Sequence, residues 1–272
     1  MATEDILADD IDGVLAAALP ADGEITVANP APETIGALVS TLEERESPPF
    51  VRLLAPEQPL KQVMADFLVA STAADLIDDG TLSIRVLDEK PVNSLIVTEE
   101  RVVSLLTAND AAAGLTTEDD SFVASTGAYS EELWDIAGGF TLRTPALSRV
   151  RSTLAAEIGE QTRADFDAVL DSLSTARSDG EGLDEVTISL LVAARNRELL
   201  YDISKWGEDV GLASKATFSR TKTQLEDTGL LDTEKVPIDV GRPRLRLLLG
   251  DERLQNADAG ELADVAVDLL SE

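Results

Sequence analysis

An alternation of helix and strand signals through residues 1 to 145, then three helices with a glycine-containing turn and a basic hairpin, predict the fold class. It is an α/β N-terminal domain, a parallel or mixed sheet with helices packed on it, followed by a C-terminal winged helix-turn-helix. The expected division is 1–145 for the α/β domain, 146–182 for connecting helices and a linker, 183–250 for the winged helix and 251–272 for a C-terminal helix.

Residues 4 to 18 read as an amphipathic helix, 24 to 28 as a short strand, and 32 to 44 as a helix opened by Pro32 and Glu33. Residues 50 to 54 are the next strand. A single helix is expected over 58 to 77, stopped by Asp78-Asp79-Gly80, and a third strand over 82 to 87. Residues 94 to 97 and 102 to 106 flank Thr98-Glu99-Glu100-Arg101, a hairpin with a four-residue turn. Strands separated by helices of this length favour a sheet covered by helices. Apolar residues then recur at helical spacing in Leu147, Val150, Leu154 and Ile158, and again in Phe166, Val169, Leu170 and Leu173. The small, polar run from Arg177 to Gly182 marks the boundary.

The second half opens with a helix over 184 to 195, Val186, Leu190, Leu191 and Ala194 inward. A second helix spans 198 to 210, with Leu199, Ile203 and Trp206 inward, and Gly211-Leu212-Ala213 makes the turn. Ser214 caps a third helix reaching about residue 228, with Phe218, Thr221 and Leu225 inward and Gly229 as its stop. Residues 233 to 240 and 245 to 249 form two strands around Gly241-Arg242-Pro243-Arg244. A short helix over 258 to 270 closes the chain.

Charge separates this second half from the rest. The chain holds 22 Lys and Arg against 52 Asp and Glu, a net charge of -30. Residues 191 to 250 nevertheless carry ten cations against nine acids, so the other 212 residues sum to -31. Residues 211 to 225 and 240 to 249 each hold three cations and no acid. A polyanion is the natural partner of such a region. The acidic, arginine-preferring composition is similar to that of salt-in halophilic archaea. In molar salt the Debye length is about 3 Å, so the acidic bulk does not exclude DNA. In a low-salt cell the same charge would instead suggest a DNA mimic or a chaperone of basic proteins.

The chain has no cysteine and no histidine. Disulfides, thiolate nucleophiles, histidine zinc sites and a histidine general base are therefore absent. It lacks a glycine-rich phosphate loop, a membrane-spanning apolar run and a basic leader, which predicts a cytoplasmic protein with no cofactor, no metal and no enzymatic activity. The acidic pairs Asp9-Asp10, Asp78-Asp79 and Asp119-Asp120 read as hydrated surface. Trp134 with Glu131 and Glu132 offers a lining for a small-molecule pocket, but an aromatic at helical spacing is usually core, and no ligand residue is assigned.

The functional expectation rests on the third helix and the hairpin tip. With Phe218 and Leu225 inward, helical periodicity assigns Lys215, Ser219, Arg220, Lys222 and Thr223 to the open face. Arg and Lys reach guanine edges or phosphates, Ser and Thr reach base edges or phosphates, and a helix N-terminus favours a phosphate. Lys215, Ser219, Arg220 and Thr223 are the expected major-groove contacts. Ser214, Lys222, Arg242 and Arg244 are expected on phosphates or in the minor groove. A winged helix that binds protein, in a scaffold or metabolite-binding protein, is the alternative.

Residues 184 to 250, above all Ser214-Lys215-Ala216-Thr217-Phe218-Ser219-Arg220 and Gly241-Arg242-Pro243-Arg244, resemble the winged helix of archaeal and bacterial transcriptional regulators. The whole chain is similar to the haloarchaeal TbsP regulator family, associated with the sugar-responsive TrmB regulators. That resemblance implies transcriptional control of central metabolism, double-stranded DNA as partner, a homodimer and a possible small-molecule metabolite. Residues 91 to 108 resemble the phospholipase-D-like sensor domains of TrmB-type regulators. Where active members carry His-x-Lys, this chain has Asn93-Ser94-Leu95.

Overall fold

The computed structural model describes residues 5–88, 93–108, 111–175, 183–237 and 243–271. The chain divides into two compact units, Met1–Ala146 and Leu147–Glu272.

The first unit contains, in chain order, β1 (Ile6–Ala8), α1 (Ile11–Ala18), β2 (Glu24–Ala28), α2 (Pro32–Glu43), β3 (Phe50–Ala55), α3 (Glu57–Val63), α4 (Phe67–Asp78), β4 (Leu82–Val86), β5 (Leu95–Val97), β6 (Val102–Ala108), β7 (Ala111–Thr117), α5 (Asp120–Ile136) and β8 (Gly138–Gly139). The strands form one mixed sheet in the order β1-β7-β6-β5-β2-β3-β4-β8. The β2-β3 and β3-β4 pairs are parallel and the others antiparallel.

Two expectations are corrected here. In place of the helix expected over 4 to 18, a strand runs Ile6–Ala8 and a helix Ile11–Ala18, because the Asp10 carboxylate accepts from the Gly13 N–H at 2.9 Å and starts α1 there. Likewise the single helix over 58 to 77 is two: Asp66 caps α4, accepting from the Val69 N–H at 3.0 Å. Strand β7 has no β-branched run to announce it. Its Gly114 lies where an added Cβ would come within 2.7 Å of Val103 and 3.3 Å of Val14, so small residues let β6 and α1 close upon it.

Strand alternation gives the sheet two unlike faces. Ile25, Val27, Val51, Leu53, Ile84, Ile96 and Val103 belong to the main core with Val14, Leu15, Ile35, Leu38 and Leu42 from α1 and α2. The opposite face is met by α5 at two small anchors. Trp134 packs with Ala28, Leu54 and Leu87, and Val123 with Val97 and Val102. Arg85 and Arg52 stack on the Trp134 ring, 4.4 and 5.2 Å from its centroid.

The second unit contains α6 (Leu147–Glu157), α7 (Glu160–Thr175), α8 (Glu185–Arg195), α9 (Leu200–Val210), α10 (Lys215–Asp227), β9 (Leu231–Val236), β10 (Arg244–Leu249), α11 (Glu252–Asn256), a 3-10 turn (Ala259–Glu261) and α12 (Leu262–Ser271). Its core gathers Leu154, Phe166, Leu190, Ile203, Trp206, Phe218, Leu230 and Leu247, all 2% exposed or less. Helices α6 and α7 pack against α9 and α8. The Trp206 indole donates to Thr153 Oγ1 at 3.0 Å, and Asn196 and Arg195 both engage Asp165. Strand β9 begins two residues earlier than expected, and residues 238 to 240 of the expected strand lie outside the described residues. The expected closing helix is the 3-10 turn followed by α12. Among the described residues no helix is long and apolar enough to cross a membrane.

Candidate nucleic-acid interface

Helices α9 and α10 are joined at Gly211, whose φ of 94° lies in the left-handed region that glycine tolerates. Ser214 then accepts from the Thr217 N–H at 3.2 Å and starts α10, as its sequence position suggests. Close approach of the two helices depends on Gly207, in the middle of α9. A Cβ there would lie 2.3 Å from the buried Phe218 ring. Its signal in the sequence is a glycine interrupting an otherwise good helix.

The hairpin is fixed to this pair through the residues just before α9. Leu199 forms a β-bridge with Arg246, and the Leu247 N–H donates to the Glu198 carbonyl at 2.9 Å. Three helices and an antiparallel hairpin therefore form one body, the element order of a winged helix-turn-helix.

Ser214, Lys215, Ser219, Arg220 and Thr223 are exposed on α10. Lys222 is not. It is 9% exposed, and its Nζ bonds Glu226 at 2.6 Å, while Glu226 accepts from Thr233 Oγ1 at 2.9 Å. The expectation that Lys222 lies on the open face is corrected by the same periodicity that produced it. Residues 218, 222 and 225 are i, i+4 and i+7, so Lys222 shares the Phe218 stripe and ties α10 to β9. Arg242, with Gly241, lies outside the described residues.

Most of the candidate cations are already held by carboxylates of their own chain. Lys215 bonds Glu208 at 2.6 Å, and Arg244 bonds Asp202 at 3.2 Å while stacking 4.3 Å from the Tyr201 ring centroid. Lys205 pairs with Asp209. The hydrogen bond to Lys215 pulls the Glu208 carboxyl below the ordinary range, and the same bond raises Lys215. Arg220 has no ion pair among the described residues. Thr223 donates its hydroxyl to the Ser219 carbonyl at 3.0 Å, one turn back along the helix. Between α9, the start of α10 and β10 lies a groove of about 470 Å3 that brings Tyr201, Lys215, Ser219, Pro243 and Arg244 together.

This exposed helix with its attached hairpin defines a helix-turn-helix protein. Residues 3–145 match the family described as transcriptional regulator TbsP-like, N-terminal, and residues 146–267 the transcriptional regulator TbsP-like, C-terminal HTH domain. The chain belongs to the TbsP-like transcriptional regulators. Nothing among curated proteins matches it. Solved structures with slight likeness include TrmBL2, an archaeal chromatin protein, at 15% identity over 51% of this chain and a TM-score of 0.36. They also include a phospholipase D family member, Nuc from Salmonella typhimurium, at 14% over 50% and 0.36. The match spans 55% of the TrmBL2 chain and 99% of Nuc. At these scores neither likeness carries an argument.

Proposed function

We propose that the protein regulates transcription by sequence-specific binding to double-stranded DNA as a homodimer, in the cytoplasm of a halophilic archaeon, with central metabolism as its target. The observation that carries this reading is the exposed row Lys215, Ser219, Arg220 on a capped α10, with Arg244 at the loop end of β10. Arg220, Lys215, Ser219 and Thr223 read base edges, with Ser214, Arg242 and Arg244 on phosphates or in the minor groove. Exposed ion pairs are weak and screened by salt, so a phosphate can displace Glu208 from Lys215 or Asp202 from Arg244. Those carboxylates hold the cations in place until DNA arrives.

Self-association is supported by strands β1, β6 and β7, which contain no charged residue. On the face away from the main core, Leu7, Leu106 and Leu115 are 81%, 48% and 47% exposed. Two chains of net charge -30 can approach there with little repulsion. The first unit then dimerises and senses a small metabolite.

Mobility shift in concentrated potassium chloride, against the protein's own promoter fragments, tests the reading. Arg220→Ala should weaken binding by about 1–3 kcal/mol and relax sequence preference. Lys222→Met, on the buried stripe, should leave the affinity of the folded protein unchanged. Equal losses from both changes, or no specific complex at all, would overturn the assignment. Sedimentation should show Leu106→Glu as a monomer where the unaltered chain is a dimer.

A further inference from the structure

Between its two apolar anchors, α5 leaves an open cleft of about 960 Å3 against the sheet, within the size range of sites that take small organic molecules. The helix lines it with Ala124, Gly127 and Ser130, and a Cβ added at Gly127 would meet nothing within 4 Å. On the cleft floor, Thr26 stands in register with Arg52 of β3 and Val97 of β5. Thr26 is 7% exposed, and among the described residues its hydroxyl has no hydrogen-bond partner. That hydroxyl, on the cleft floor, is open to a hydrogen bond from a polar group entering it.

The walls define the charge of that group. Six of the fourteen lining residues are carboxylates. Its one cation, Arg52, is already bound by Glu24 at 2.7 Å and Glu131 at 2.8 Å. An anionic ligand is therefore disfavoured. A metal ion is disfavoured too: among the described residues, no three carboxylates are grouped closely enough to hold one. The carboxylates fall in two groups instead: Glu99 and Glu100 of the β5–β6 turn with Glu118 and Asp120 at the start of α5, and Glu24 with Glu131 about Arg52. Asp120 and Glu131 are separated by eleven residues, roughly 16 Å at the rise of an α-helix. Val97, Thr26, Ala124 and Gly127 of the lining carry no charge, and Arg52 beside Thr26 is already paired with Glu24 and Glu131.

Two groups of carboxylates, small residues on the helix between them and an unpartnered hydroxyl on the floor match one ligand chemistry. We propose that the cleft binds a linear aliphatic polyamine. Its terminal ammonium groups meet the carboxylates, its methylenes lie along Ala124 and Gly127, and an inner amine donates to Thr26. This names the ligand class for the sensing role given to the first unit, and rests on that reading only for its consequence at DNA.

Calorimetry and thermal unfolding of the full chain with spermidine test it, with magnesium chloride at matched ionic strength as the charge control. Spermidine at a hundredfold excess over Kd should raise Tm by roughly 5 °C or more, and magnesium by far less. Gly127→Leu fills the cleft and Thr26→Val removes the hydroxyl; neither alters charge. Each should lower spermidine affinity at least tenfold, and Thr26→Val decides the matter if Gly127→Leu does not fold. Affinity unchanged in the variants would mean diffuse attraction to an acidic surface, and would overturn the proposal. So would an equal response to magnesium, or none to spermidine. Arg220-dependent retardation of DNA is read separately, so failure here is distinguishable from failure of the regulatory reading.

Discussion

Gly207 in α9 and Gly127 in α5 occupy the middle of amphipathic helices, and the two regions use them in opposite ways. In the second unit the missing side chain is filled by Phe218, which brings α10 onto α9 and fixes the direction in which Arg220 and Ser219 are presented. In the first unit the space at Gly127 stays open and the helix stands off the sheet. A glycine inside a helix costs about 1 kcal/mol relative to alanine. In one region that cost permits close packing; in the other it maintains a cleft. The same contrast appears in the charges. Lys215 and Arg244 pair with single exposed carboxylates that a phosphate can replace, whereas Arg52, 20% exposed, is held between two carboxylates and over Trp134.

Phe218→Ala should have the largest effect. Losing a fully buried ring should cost about 3–5 kcal/mol of stability in the second unit. In chemical denaturation the second unit should then unfold well before the first. Gly207→Ala tests the packing role directly. Its Cβ would press on a ring that has no room to move, so a loss of about 1–3 kcal/mol is expected despite the better helix former. DNA affinity should fall with it as α10 shifts. Gly127→Ala has the opposite sign. With nothing to strike, it should gain up to about 1 kcal/mol, read as a higher denaturation midpoint for the first unit. If Gly207→Ala and Gly127→Ala changed stability in the same direction, the contrast drawn between the two helices would be wrong.

The elements of the second unit were legible because their signals are local. Asp184 and Ser214 accept from the amides three residues on, Gly211 and Gly229 take positive φ, and the apolar residues follow the helical period. Most of the first unit could be read in the same way, including the hairpin turn, where the Thr98 N–H bonds the Arg101 carbonyl. Helix α5 and strand β8 were not expected, and strands β1 and β7 could not be read. Three residues of Ile-Leu-Ala and a run of alanines carry no strand signal, and their pairing joins Leu7 to Ala113 across more than a hundred residues. Lys222 was misplaced for a different reason. It sits one turn beyond Phe218, and lysine is so seldom buried that its identity outweighed its position.

The sequence by itself determined the helices of the second unit, the β2-α2-β3 rhythm of the first, the location of the cations and the absence of cysteine and histidine. Each follows from near-neighbour geometry or from composition. Tertiary structure alone decided which cations are held and by what, since Glu208 lies seven residues from Lys215, Asp202 forty-two from Arg244 and Glu131 seventy-nine from Arg52. It also decided that one glycine is packed and another left open. Periodicity reports which way a side chain points; only the folded chain determines what it meets there.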